Sequence, residues 1–203
     1  MFVVGLDLGQ RHDPSALAVV EREEPRLAWM PGMSVRLGVR YLERMLLGTS
    51  YPDVVARVCD IMLDPRMNGQ SHLVVDATGV GAAVMDLLRL AGMRGRTTAV
   101  IITGGDQAHG SGDQWYVPKR ELLTGLESSL ECGELRIARK LPEAERLLKE
   151  FENMRMEARV NGRWKMGAEG EGEHDDLVMA LSLACWRAKR PRNGFGTQRL
   201  PGI

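Results

Sequence analysis

The segment GEHDDLVMALSLA, residues 172–184, sets two aspartates side by side at the head of an apolar run that has the spacing of a buried helix. One carboxylate suffices to cap such a helix, because it accepts hydrogen bonds from unpaired N–H groups at the positive end of the dipole. A second, at Asp176, needs another purpose. Further acids fall in related places: Asp7 ends the apolar run FVVGLD, and Asp76 ends HLVVD. In open α/β sheets a site forms outside the carboxyl ends of the strands, and a helix start can project into the same crevice. Asp7, Asp76 and the Asp175-Asp176 pair would then converge. Carboxylates packed that closely repel, and some are pushed toward protonation unless a cation neutralises them. Ligation by oxygen alone suits Mg²⁺ or Mn²⁺ rather than zinc or copper. Each aspartate alone has a bland explanation, since aspartate ends strands in turns and caps helices. The three locations together point to a metal centre.

The elements that must position these acids can be read from periodicity and punctuation. FVVGLDLG and SALAVVER read as strands joined by QRHDP into a hairpin, with a third strand around SVRLGVRYL. YPDVVARVCDIMLD is helical through Val54, Val55, Val58, Ile61 and Met62. SHLVVD reads as a buried strand, and the helix after it, through Val80, Val84, Leu87, Leu88 and Ala91, stops at Gly92. TTAVII is a further strand, and the glycine-rich TGGDQAHGSGDQ reads as a mobile loop. VPKRELLTGLESSLECG starts a helix after proline and ends it at glycine. LPEAERLLKEFENM is one more helix, and MEARVNGRWKMG reads as a hairpin turning at Asn161-Gly162. Hairpins first, then strand–helix alternation, predict an α/β protein built on a mixed central β-sheet with helices on both faces.

Composition limits the setting. At 203 residues, 44% of them hydrophobic, the chain is long enough for one domain with a sizeable core and short for two. The expected division is a domain over residues 1–190 and a basic, poorly ordered tail over 191–203, rich in proline, glycine and arginine. No stretch approaches the roughly 20 apolar residues of a membrane span, and the N-terminus lacks the layout of a signal peptide. A cytoplasmic location without a membrane partner is therefore expected. Cys59, Cys132 and Cys185 are odd in number, far apart and each within an expected helix, so they read as small core residues rather than as disulfides or zinc ligands. The formal net charge of zero removes the simplest argument for nucleic-acid binding, although it hides how charge is distributed.

The segments VVGLDLGQRHDPSALAVVE, HLVVDATGVGAAVMDLL and GEHDDLVMALSLA resemble the three acidic motifs of the nuclease domain of viral large terminase subunits. That family, well known in tailed bacteriophages, shares the RNase H-like fold with Holliday-junction resolvases. The resemblance spans nearly the whole chain and includes VPKRELLTGLESSLECGELRI between the second and third motifs. It implies that Asp7, Asp76, Asp175 and Asp176 bind metal, with Asp13 as an accessory acid. It also implies hydrolysis of double-stranded DNA by two Mg²⁺ or Mn²⁺ ions, with little sequence specificity, during genome packaging in the host-cell cytoplasm. One ion would activate water and the other would stabilise the leaving 3′-oxygen. Asp7 would bridge the ions, Asp76 and Asp176 would complete one sphere each, and Asp175 is expected to cap the helix or orient the other ligands. In that family an ATPase motor precedes the nuclease, and a portal and a small terminase subunit complete the assembly. No GxxxxGK[ST] motif occurs here, so the chain resembles the nuclease half alone. Met179 departs from the pattern, because related enzymes often carry a further acid at that place.

Cations for the substrate are sought next to these motifs. Lys119 and Arg120 open a helix beside the glycine-rich loop, and Arg163 and Lys165 flank the expected hairpin. All four are candidates for phosphate contacts. His174 is a candidate proton relay, and Trp115, Tyr116 and Trp164 are candidates for stacking on bases. Two other readings compete. GLDLG and DATGVG also resemble the phosphate loops of actin-like and sugar-kinase ATPases, although those need two lobes and this chain supplies one. A catalytically silent DNA-binding module would explain the basic tail while leaving the acids as coincidence.

Overall fold

The structure is a computed structural model that describes residues 1–9, 13–23, 35–67, 69–160 and 175–190, with the side chains of 155–160 excepted. Among these residues the centre is one mixed sheet of eight strands. These are β1 (Phe2–Asp7), β2 (Ala16–Glu23), β3 (Arg36–Arg44), β4 (Ser71–Asp76), β5 (Thr97–Thr103), β6 (His109–Ser111), β7 (Gln114–Pro118) and β8 (Leu135–Ile137), in the order β6-β7-β5-β4-β1-β2-β3-β8. β1 pairs antiparallel with β2 and parallel with β4. Among the described residues five α-helices pack on it: α1 (Tyr51–Met62), α2 (Gly81–Leu90), α3 (Lys119–Glu131), α4 (Ala144–Val160) and α5 (Asp176–Lys189). None of the described helices is long and apolar enough to cross a membrane.

Period-2 alternation divides the apolar residues between two layers. Val3, Ala16, Ala18, Val20 and Val74 pack with α3, α4 and α5 on one face. Val4, Leu6, Leu17, Val19, Leu73 and Val75 pack with α1 and α2 on the other. The expected mixed sheet with helices on both faces is the observed architecture. α5 is the principal strut of the first layer, because 12 of its 14 residues are buried. Each fully buried leucine of that helix is worth about 1.5–3 kcal/mol relative to exposure, which makes α5 the hardest element to displace.

α5 reaches the sheet through a glycine. A Cβ placed on Gly5 would lie 2.0 Å from the Ala180 carbonyl oxygen and 2.9 Å from the Ala184 nitrogen, so β1 and α5 meet backbone to backbone.

Three local expectations are corrected. The segment read as a mobile loop contains β6 and the start of β7, an antiparallel hairpin in which His109 faces Tyr116 and Ser111 faces Gln114. Residues 156–160, expected to begin a hairpin, continue α4 to Val160, and Asn161-Gly162 lies outside the described residues. Of the three cysteines, Cys185 is buried, Cys59 is half-buried and Cys132 is exposed at the end of α3. Burial pushes the Cys185 thiol up to about 12.

Candidate active site

Register assembles the site. Leu6 pairs with Val75, so Asp7 and Asp76, one residue further along adjacent parallel strands, end side by side. Across the other edge of β1, Asp7 pairs with Ala16, and Ala16 pairs with Arg44. Asp7 shares the parity of Val3 and Gly5, and Asp76 that of Val74, so both acids project toward the α5 layer. Arg44 reaches that layer because of a β-bulge. Val19 pairs with Tyr41 and Val20 with Val39, which leaves Arg40 as an extra residue in β3. The extra residue reverses parity, so that Leu42 and Arg44 face α5 while Tyr41 packs on the opposite side. The result is a row across four places of the sheet, Asp76, Asp7, Ala16 and Arg44, with a small side chain between the central acid and the guanidinium.

The first turn of α5 stands over this row. Asp176 is 4% exposed, and its Oδ2 lies 3.1 Å from Arg44 Nη2. Asp175 is half-buried and accepts a hydrogen bond from Lys119 Nζ at 2.7 Å. Although Asp175 occupies the N-cap position, its carboxylate makes no capping hydrogen bond, which corrects that part of its expected role. Thr78 N–H donates to Asp76 Oδ1 at 2.9 Å and fixes that carboxylate where the chain leaves β4. Behind the loop after β1, Gly9 N–H donates to Ser15 Oγ at 3.0 Å, and a Cβ on Gly9 would lie 2.0 Å from the Asp13 carbonyl oxygen.

Electrostatics identify the centre of the group. The Asp7 carboxyl is held well above the usual carboxylate range, first by burial and then by the charges of Asp76, Asp176 and Asp175, while Lys119 opposes the shift. Burial also raises Asp76, against the hydrogen bonds from Thr78 and the charge of Lys119. Three carboxylates, those of Asp76, Asp176 and Asp175, thus act on Asp7, with Lys119 and Arg44 as nearby cations. Among the described residues no three His, Cys, Asp or Glu side chains stand close enough together to hold a metal ion in the present arrangement, in which Asp175 is turned to Lys119 and Asp176 to Arg44. The donor chemistry nonetheless fits a hard divalent cation: every candidate ligand is a carboxylate, and the half-buried central acid is penalised for carrying its charge.

The remaining candidates divide. Lys119 joins the acids, whereas Arg120, the next residue, is exposed and faces Asp106 at 3.7 Å. Asp13 is exposed on the loop between β1 and β2. Trp115 is half-buried and meets Trp186 edge-on at 5.7 Å, and Tyr116 stacks on His109 at 5.1 Å. His174, Arg163, Lys165, Trp164 and the tail 191–203 lie outside the described residues.

Two residues escaped the sequence reading. Arg44 gave no signal, because its direction depends on the bulge at Arg40. Glu150 did give one: it lies on the apolar stripe of α4 with Leu147, Phe151 and Met154, where an acid is out of place. It is buried, and its Oε2 accepts the Val178 N–H at 3.1 Å. Burial, reinforced by Asp176 and opposed by that hydrogen bond and by Arg44, raises the Glu150 carboxyl to about 7. Met179 is 3% exposed and belongs to the core.

No protein-family model matches the chain, and no curated protein matches it. Solved structures do. The large terminase nuclease of the thermophilic phage G20c is similar over 91% of this chain and 80% of its own, with a TM-score of 0.58 and 24% identity. The large terminase nuclease domain of bacteriophage SPP1, solved with bound Mn, is similar over 92% and 85%, with a TM-score of 0.53 and 14% identity. The human cytomegalovirus terminase nuclease domain is similar over 91% and 83%, with a TM-score of 0.52 and 14% identity. The mixed eight-stranded sheet, with the acid-bearing strands β1 and β4 at its centre, is the RNase H-like fold of the large terminase nuclease domains.

Proposed function

We propose that this protein is a metal-dependent endonuclease that cuts double-stranded DNA, the nuclease component of a viral genome-packaging machine. The observation that carries the reading is the convergence of Asp7, Asp76, Asp175 and Asp176 at one end of a terminase-nuclease fold. That the similar SPP1 domain was solved with bound Mn supports the choice of cation. Asp7, Asp76 and Asp176 would hold two Mg²⁺ or Mn²⁺ ions, and Asp7 is the acid on which the other carboxylates act. Such ions supply an activated water and stabilise the leaving oxygen of a phosphodiester. The protein's own contribution is positional. The register of β1 and β4 fixes two of the acids, α5 presents the other two, and Lys119 and Arg44 set the charge around them. Lys119 would also meet a phosphate that enters the crevice, a contact blind to sequence. Arg120, Arg163 and Lys165 are proposed to hold the duplex further out, Asp13 to assist as an accessory acid and His174 to relay a proton. In the host-cell cytoplasm the protein would work with an ATPase motor, a portal and a small terminase subunit.

Supercoiled plasmid incubated with the purified protein should be degraded in Mg²⁺ or Mn²⁺ without discrete fragments and should survive in a chelator. Equal degradation in the chelator would overturn the metal requirement, and a ladder of defined fragments would overturn the lack of sequence preference.

A further inference from the structure

The four N–H groups that open a helix need acceptors, and those of α5 lie in the segment that carries Asp175 and Asp176. An aspartate in that place ordinarily turns back onto its own helix as a cap. Here it does not: Asp175 makes no capping bond, and Lys119 takes its carboxylate. The acceptor comes from another helix, because Glu150 on α4 reaches the Val178 N–H at 3.1 Å. Glu150 is 5% exposed, and among the described residues its Oε1 has no hydrogen-bond partner although it is shut off from water. Burying a carboxyl inside an apolar stripe is costly, and a glutamine would accept the same bond at lower cost. Arg44 lies near both acids, paired with Asp176 and electrostatically coupled to Glu150.

We propose that Glu150 is a positioning residue for Asp176: by capping α5 from outside, it keeps both carboxylates of the helix head out of the cap and turned to Lys119 and Arg44 at the crevice. The proposal rests on the nuclease reading above. What matters is the accepted hydrogen bond, so the charge of Glu150 is dispensable and its acceptor oxygen is not.

Two variants separate these. Glu150→Gln keeps an acceptor oxygen, and Glu150→Met keeps the length and helix propensity without one. Each is compared with the parent for amide hydrogen exchange over residues 176–180, for Mn²⁺ affinity by calorimetry, and for kcat and KM on plasmid. Glu150→Gln should keep the Val178 amide protected and all three constants within about threefold. Glu150→Met should lose that protection, bind Mn²⁺ about 10-fold more weakly and lose about 10-fold or more in kcat with KM unchanged, the scale usual for residues that orient metal ligands. A folded Glu150→Met with parental exchange and Mn²⁺ affinity would overturn the proposal. If Glu150→Met does not fold, Glu150→Gln decides: a collapse of kcat with Val178 still protected overturns it, and a retained kcat supports it. A parent that neither binds Mn²⁺ nor cuts DNA refutes the nuclease reading instead, while the exchange measurement still tests the cap.

Discussion

Lys119 Nζ lies 2.7 Å from Asp175 Oδ2, tying the first residue of α3 to the residue that precedes α5. Both side chains are about a quarter exposed, so water screens the pair and its loss should cost only about 1 kcal/mol of stability. Its larger effect is on chemistry, because the same ammonium lowers the affinity of Asp7 and Asp76 for protons. In Lys119→Met those acids should hold protons to higher pH. The acid limb of the cleavage profile in Mg²⁺ should move upward, with activity lost on the acid side and regained as pH rises. An unmoved limb would show that Lys119 serves the substrate alone.

Replacing the acids one at a time should rank them. Asp7→Asn, Asp76→Asn and Asp176→Asn should each abolish plasmid cleavage, and Asp175→Asn should retain part of it. A dead Asp175→Asn beside an active Asp176→Asn would reverse the assignment of the pair.

Heat stability should separate the same variants. Asp7 has a raised pKa in the folded protein, so its protonated form favours folding. That contribution is complete below about pH 4, the unfolded value, and is lost as pH rises through the raised value. Asp7→Asn measured in a chelator should therefore melt higher than the parent at pH 7 to 8, by about 2 to 4 °C for each kcal/mol relieved, and equal it near pH 3. Asp176→Asn should not share the gain, because Arg44 loses the carboxylate it faces at 3.1 Å. Equal melting of Asp7→Asn and parent at pH 8 would refute the crowding of charge at Asp7.

At the other end of α5, Glu121 Oε1 accepts from Arg190 at 2.9 Å and from Trp186 Nε1 at 3.1 Å, and the Arg190 guanidinium lies 3.8 Å over the Trp186 ring. Burial alone would raise Glu121, but these hydrogen bonds and the charge of Arg190 bring it below the usual range. Its contribution is present above about pH 4.3, the unfolded value, and is lost as pH falls through the lowered value. Glu121→Gln should cost about 1 kcal/mol at pH 7, less as the medium turns acid, and should leave cleavage unchanged. A constant deficit from pH 7 to 3 would point to packing instead of charge.

Because Arg190 belongs to this cluster, a truncation meant to test the basic tail has to keep it. A chain ending at Arg190 should fold as the parent does and cleave at high DNA concentration. Its DNA binding should depend less steeply on salt, since a chain that neutralises fewer phosphates releases fewer counterions. An unchanged salt slope together with abolished cleavage would place the tail in the active site.

How far the site was legible follows from which interactions are local. Asp7 and Asp76 stand out because each ends a strand whose apolar run is visible, and their shared face follows from counting by twos along β1 and β4. Asp175 and Asp176 stand out because the helix behind them is apolar all round. Arg44 could not be placed, since a single inserted residue, Arg40, reverses every direction after it and leaves no compositional trace. The capping of α5 by Glu150 joins residues 28 apart, so the nearby Asp175 took its place in the sequence reading. The β6–β7 hairpin was hidden by its glycines. Gly110 and Gly112 occupy positive φ, at 145° and 62°, and so serve the bend while weakening the strand signal.

The contact between Gly5 and α5 bears on how such a chain can change while it keeps its chemistry. A gap between strand and helix that is set by main-chain atoms works as a spacer of fixed thickness, and side-chain volume elsewhere in the layer does not enter it. Val74, Leu181 or Val178 can be exchanged for residues of like volume while the head of α5 stays at the same height above Asp7. Any side chain at position 5 would lift the helix away, and the acids it carries with it. Sequences can therefore drift far apart in this core and still keep the same separation between the two halves of the acidic cluster, provided that one hydrogen atom is all that stands between β1 and α5.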